Sequence, residues 1–151
     1  MLSVNKIYYI KISFFLFILI FSGVTLGAQT YKVQLEISNI DNPTGSLVFA
    51  VFNNEESFKN NKVPFLKKII PIQKKGVILI DIELPKGNYV VAVFQDLNNN
   101  KKLDYNFIGI PKEPFGFSKN PSCFEFPKYK ELQIQIKNNQ KIPIKLKDLI
   151  N

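Results

Sequence analysis

Oxygen-bearing side chains recur at every second position over Asp96, Asn98 and Asn100, and the series closes on Asp104. Short Asp and Asn side chains alternating along a curling backbone can surround a hard cation, and calcium takes about six to eight oxygens at roughly 2.3–2.6 Å. Counted against a calcium loop, Asp96, Asn98, Asn100 and Asp104 stand at relative positions 1, 3, 5 and 9, and the carbonyl of Lys102 would stand at position 7. Leu103 supplies the apolar residue that such loops turn inward. Two positions depart from the pattern. Lys101 replaces the glycine of the sharp turn, and Phe107 stands where a bidentate Glu normally closes the loop. Glu113, the next acid along the chain, would have to fold back as a further donor. With two carboxylates and neighbouring lysines, calcium affinity is expected to be weak, about 10⁻⁴ to 10⁻³ M. The same residues also suit a purely polar turn, in which Asp and Asn bond to their own backbone as Asx turns and tolerate left-handed conformations. Both readings stay open at this level.

Other chemistry is limited by what the chain lacks. It contains no His, no Arg and no Trp. Ser118 therefore has no imidazole to activate it, which removes a Ser-His-acid nucleophile. A small carboxylate-dependent hydrolase using Asp96 and Glu113 is conceivable, but the missing His and Trp make it the weaker expectation, and no catalytic residue is assigned. The segment that follows is rich in aromatics: Phe115 and Phe117, then Phe124 and Phe126. Such a segment either packs over the open end of a sheet structure or offers a platform to a sugar or a protein partner. Glu113, Phe115, Phe117 and Ser118 are the candidate binding residues.

The elements that must position these residues read mainly as strands. Tyr31, Val33, Leu35 and Ile37 alternate with polar neighbours, the period of a strand with one wet face. Asn42-Pro43-Thr44-Gly45 is a turn signal before the apolar run 46–53, and the two strands are expected to pair as a hairpin. Residues 54–58 suit one helical turn capped by Asn53 or Asn54, with Glu55 and Glu56 at its amino end. A strand at 67–73 contains Pro71 and belongs at a sheet edge. Strands at 77–84 and 88–94 flank Pro85-Lys86-Gly87 as a second hairpin, and the second of them, almost wholly apolar, belongs mid-sheet. Residues 95–127 form one long irregular segment, of a length that in compact domains is often functional. Strands at 131–137 and 142–146 then flank Asn138-Asn139. Seven strands with little helix predict an all-β, seven-stranded antiparallel β-sandwich.

Lys6 and Lys11 precede the apolar run 12–24, and small residues at Gly27-Ala28 end it, the layout of a cleaved secretory signal peptide over residues 1–28. The expected mature chain, 29–151, suits a single domain that buries roughly two thirds of the surface its unfolded chain exposes. Without Lys6 and Lys11 the formal charge of +8 becomes +6. The lysines are scattered rather than interleaved with stacking aromatics, so a solvated surface is expected and nucleic acid is not an expected partner. Cys123, the single cysteine, cannot close an internal disulfide.

One resemblance emerges from these motifs. Leu84-Pro85-Lys86-Gly87-Asn88-Tyr89 runs through Gln95-Asp96-Leu97-Asn98-Asn99-Asn100-Lys101-Lys102-Leu103-Asp104, and Gly109-Ile110-Pro111-Lys112-Glu113-Pro114-Phe115-Gly116-Phe117-Ser118 follows. Together with Gly45 to Phe52 these resemble the bacterial exported family called domain of unknown function 2141. The resemblance implies an exported single domain in the style of transthyretin-like or immunoglobulin-like sandwiches, with no established activity. Its hallmark positions fall on Asp96, Asn98, Asn100, Asp104, Gly109, Pro111, Glu113, Gly116, Phe117 and Ser118. The chain departs at Gln95, where the family has His, and at Lys101, where it has Gly. The combined expectation is a periplasmic or secreted, non-catalytic binding or structural module of the bacterial envelope. Calcium is the one cofactor considered, the ligand or envelope partner is unknown, and no stable membrane insertion is expected once the leader is removed.

Overall fold

The alternation that begins at Tyr31 becomes β1 (Thr30–Ile40) in the computed structural model, which describes residues 29–60, 62–122 and 127–150. The leader expected at 1–28 and the residues Cys123, Phe124 and Phe126 lie outside that description. Val33, Leu35 and Ile37 face inward as the period requires. Asn39 then adopts φ +65°, and the register against the neighbouring strand slips between Ile37 and Ile40. That bulge changes the parity, so that Ile40 is also buried.

The remaining strands are β2 (Ser46–Phe52), β3 (Leu66–Pro71), β4 (Gly76–Pro85), β5 (Gly87–Asp96), β6 (Phe115–Phe117), β7 (Ile134–Ile136) and β8 (Gln140–Lys145). Two short helices complete the order: α1 (Glu55–Lys59) after β2 and α2 (Tyr129–Leu132) before β7. Asn54 caps α1, its side chain accepting from the Ser57 N–H at 2.8 Å, and Glu55 and Glu56 occupy the first turn as expected.

One sheet has the order β4–β1–β8 and the other β3–β2–β5–β6, with β7 pairing with the first residues of β5. Strand β3 lies at an edge, as Pro71 requires, and β5 lies inside its sheet. Three expectations are corrected. The described residues form eight strands rather than seven, because the segment read as irregular contains β6. Strand β8 runs parallel to β1, so the architecture is mixed rather than purely antiparallel. The expected hairpins do not pair: β1 and β2, β4 and β5, and β7 and β8 each lie in different ladders, their short turns carrying the chain onward instead of back along a neighbour. Strand alternation reveals which face is buried and leaves the lateral neighbour unspecified.

Both faces of β2 and β5 are covered, which explains their continuous apolar runs. Leu47, Phe49, Val51, Val91 and Val93 pack between the sheets against Val33, Leu35, Ile37, Ile82 and Ile144. On the other face, Phe52 and Val90 pack with Phe58 of α1, Phe115 and Phe117 of β6, and Tyr129 and Leu132 of α2. All of these buried residues fall between 33 and 146, inside the chain 29–151.

Candidate functional site

Strand β5 ends on two polar residues that are each only 1 % exposed, Gln95 and Asp96, and the strand period sends them to opposite faces. The Gln95 amide donates to the carbonyls of Asn42 (2.7 Å) and Thr44 (2.9 Å), fastening the β1–β2 connection to the base of the loop. Its own N–H donates to the Pro114 carbonyl at 2.8 Å, holding the far end of the loop as well. Gly45 lets the two segments touch: it has φ +73°, and a Cβ there would stand 2.0 Å from the Asp96 carbonyl oxygen.

Asp96 turns its carboxylate into the loop. Oδ1 accepts from the Asn100 N–H at 3.1 Å and Oδ2 from the Lys101 N–H at 2.7 Å. Charge-assisted bonds of this kind compensate for a buried carboxylate. Asn98 Oδ1 accepts from the Asn100 N–H at 3.0 Å, and Asn100 Oδ1 from the Lys102 N–H at 2.8 Å, so both close Asx turns. Asn99 and Lys101 take φ of +58° and +64°. Lys101 thus makes, at some strain, the left-handed turn that glycine would make at that position of a calcium loop. Asp104 Oδ2 then gathers the side-chain amides of Asn98 (2.7 Å) and Asn100 (2.9 Å). The spaced residues do meet, and backbone and amide N–H groups fill much of their oxygen capacity. Lys102 contributes its N–H to this network while its side chain is exposed.

Glu113 folds back, as a loop-closing acid would have to. It is 4 % exposed, and its two oxygens take the N–H groups of Leu97 (2.9 Å) and Asp104 (3.1 Å), clamping the loop from beginning to end. The Asp104 carbonyl in turn accepts from the Lys112 N–H at 2.8 Å. Glu113 therefore acts on the backbone and offers no exposed binding oxygen.

The other candidate binding residues lie inside. Phe115 and Phe117 sit edge to face, centroids 5.9 Å apart, in the outer apolar cluster. Ser118 is fully buried, its hydroxyl donating to the Leu132 carbonyl at 2.7 Å and accepting from the Val91 N–H at 3.1 Å. The aromatic surface expected at 115–118 is instead packing, because β6 pairs with β5 and is covered by α1 and α2.

Exposed apolar residues stand in the middle of the loop. Tyr105 and Pro111 form an isolated bridge, closing a tight turn over 106–110. Asn106 organises it: its side-chain oxygen accepts from the N–H groups of Ile108 (3.1 Å) and Ile110 (2.9 Å), and its N–H donates to the Ile110 carbonyl at 2.8 Å. The turn holds Phe107 99 % exposed and Ile108 65 % exposed, with Tyr105 half-exposed. Partial burial raises the Tyr105 hydroxyl above its ordinary pKa, leaving it neutral near pH 7. Sequence reasoning did not place Phe107 among the candidate binding residues. The available signal was Asn106 and Gly109 bracketing two apolar residues that no strand or helix period would bury.

Chemically the arrangement is a rigid polar scaffold carrying an apolar tip. Among the described residues no group of three or more His, Cys, Asp or Glu stands together as a metal-ligand cluster. No curated protein and no solved structure matches the chain. Residues 35–143, which contain the whole loop, match the family described as uncharacterized protein conserved in bacteria (DUF2141), and the chain belongs to that family.

Proposed function

We propose that this protein is an exported, non-catalytic binding module of the bacterial envelope, a sandwich in the style of transthyretin-like or immunoglobulin-like domains, and that residues 105–110 are its contact element. The observation that carries this reading is the pairing of an over-determined loop with exposed Phe107 and Ile108. A hydrogen-bonded turn that holds large apolar side chains in water offers little to the core and much to a partner, since its ordering entropy is already spent. The leader pattern at 1–28 supports export, and the absence of His and Arg from the whole sequence supports a binding role over catalysis.

The test is site-specific photo-crosslinking in the producing cell. A reactive group at position 107 should yield a discrete adduct, and one at exposed Lys86, in the turn between β4 and β5, should not. Equal labelling from both positions, or no adduct from 107 to either protein or lipid, would defeat the reading.

A calcium-stabilised variant of this reading is favoured by the convergence of Asn98 and Asn100 on Asp104, with Asp96 bonded to the same turn. Those four residues would hold the ion, which would supply rigidity and no reaction step. Half-turns of the two amides would aim their oxygens at the space beside Asp104, at the expense of the Asx bonds. Calcium at about ten times a millimolar Kd would add about 1.4 kcal/mol and raise the thermal midpoint by about 5 °C over EGTA. Magnesium should not reproduce the rise, and Asp96→Asn should abolish it. Equal midpoints in calcium and EGTA would leave residues 96–104 as a self-bonded turn.

A further inference from the structure

Charge is segregated within the 96–114 loop. Two of its three acids are turned inward, Asp96 and Glu113 bonding backbone amides, while the partly exposed Asp104 accepts from two side-chain amides through Oδ2. Its three lysines, Lys101, Lys102 and Lys112, are exposed, and among the described residues none of them forms an ion pair. Between Lys102 and Lys112 in the chain come Phe107 and Ile108, both exposed, and half-exposed Tyr105.

We propose that this tip docks on the surface of an anionic phospholipid bilayer, Phe107 and Ile108 entering the boundary between headgroups and acyl chains while Lys101, Lys102 and Lys112 face the phosphates. The proposal rests on the binding-module reading and names its partner. Three observations favour lipid over a protein groove. First, the order along the chain fits an interface: Lys102 precedes Tyr105 by three residues and Lys112 follows Pro111 directly, so both cations stand within roughly 10 Å of chain from the Tyr105–Pro111 bridge that closes the turn carrying Phe107 and Ile108. The turn itself runs two to three residues from that bridge to Phe107 and Ile108, roughly 7–10 Å of chain, comparable with the depth of about 5–10 Å to which interfacial apolar groups enter. Second, the N–H groups of Asn106, Ile108, Gly109 and Ile110 are all bonded within the turn and Pro111 has none, so entry strands few backbone donors. Third, half-exposed Tyr105 stands between Lys102 and Phe107 in the chain, the order in which amphipathic aromatics follow basic residues toward a bilayer interface. Among the described residues no helix is long and apolar enough to cross a membrane, so attachment would be peripheral.

The experiment is co-sedimentation of residues 29–151, which hold every strand and both apolar clusters of the described residues, with vesicles containing phosphatidylglycerol and with vesicles of phosphatidylcholine alone. Binding to the anionic vesicles, falling with added salt, is expected, with little on the neutral ones. Replacing both tip residues (F107S/I108S) should lower partitioning by about tenfold or more, with the circular dichroism spectrum unchanged. Neutralising the shoulder (K101Q/K102Q) should cost about fivefold per lysine, whereas the same charge change on the β3 edge (K67Q/K68Q) should cost much less. Equal sedimentation on both vesicle types, insensitivity to F107S/I108S, or equal losses from the two lysine pairs would overturn the proposal. A protein adduct from position 107 in cells, with no vesicle binding, would overturn lipid docking and leave the binding-module reading standing. No adduct and no vesicle binding would defeat both.

Discussion

Glu113 shows how one side chain can decide the form of a long loop. Its carboxylate reaches back sixteen residues to the Leu97 N–H and nine residues to the Asp104 N–H, at 2.9 and 3.1 Å. Both amides are thereby bonded by a charged acceptor instead of water, and the loop is closed at two points by one group. Glu113→Gln keeps the shape but turns an NH₂ group toward one of those amides, so that a donor faces a donor in a buried site. The expected cost is about 2–3 kcal/mol, measured as a lower denaturant midpoint at unchanged slope. A cost below about 0.5 kcal/mol would mean that water or local rearrangement satisfies the freed amide, and the clamp would lose its role. Gln95 follows the same logic at the base of the loop: a neutral amide binds two carbonyls of the 42–44 turn and introduces no titrating group near neutral pH.

At the scale of the element, the loop depends on its contact with the β1–β2 connection. Gly45→Ala would place a methyl group 2.0 Å from the Asp96 carbonyl oxygen and force φ +73° on a residue with a Cβ. Backbone faces it, with no flexible side chain to yield, so the expected destabilisation is about 2 kcal/mol or more, accompanied by faster hydrogen exchange at the Asn100 and Lys101 amides. Normal exchange at those amides would uncouple the turn from the loop. Much at this scale was legible in the residues. Period-two alternation located β1, Pro71 placed β3 at an edge, the apolar run of β5 put it inside a sheet, and Asn54 with Glu55 and Glu56 marked α1. Pairing was illegible because alternation carries no lateral information, so tight turns such as Pro85-Lys86-Gly87 read as hairpins where the chain instead changes ladder. Strand β6 was hidden because Phe115-Gly116-Phe117 is three residues long and buried throughout, leaving no alternation to detect. Helix α2 was overrun by a strand reading of 131–137, since Leu132, Ile134 and Ile136 alternate even though a four-residue helix takes Tyr129–Leu132. Within the site, the convergence of Asp96, Asn98, Asn100 and Asp104 followed from their spacing. The exposure of Phe107 did not, because only the turn built by Asn106 determines that it points into water.

At the scale of the whole molecule, the described residues form two apolar clusters that share strands β2 and β5, one between the sheets and one formed with α1, α2 and β6. Sharing has a thermodynamic consequence. Loss of the outer cluster would expose Phe52, Val90 and Phe117, and would release β6, which pairs with Ala92, Val93 and Phe94 and anchors the carboxyl end of the 96–114 loop. Phe58 is the test position: its ring lies 5.4 Å from that of Phe52, 6.1 Å from Phe117 and 5.8 Å from Tyr129, so it joins α1 to β2, β6 and α2. Phe58→Ala should cost about 3–5 kcal/mol and Leu35→Ala, between the sheets, about 2–5 kcal/mol. If the clusters form one cooperative unit, each variant will unfold in a single calorimetric transition whose van't Hoff and calorimetric enthalpies agree. A separate low-temperature transition confined to Phe58→Ala would show that the outer layer melts alone. The loop would then be carried by a detachable cover, and its rigidity, on which the exposed tip depends, would no longer follow from the stability of the sandwich.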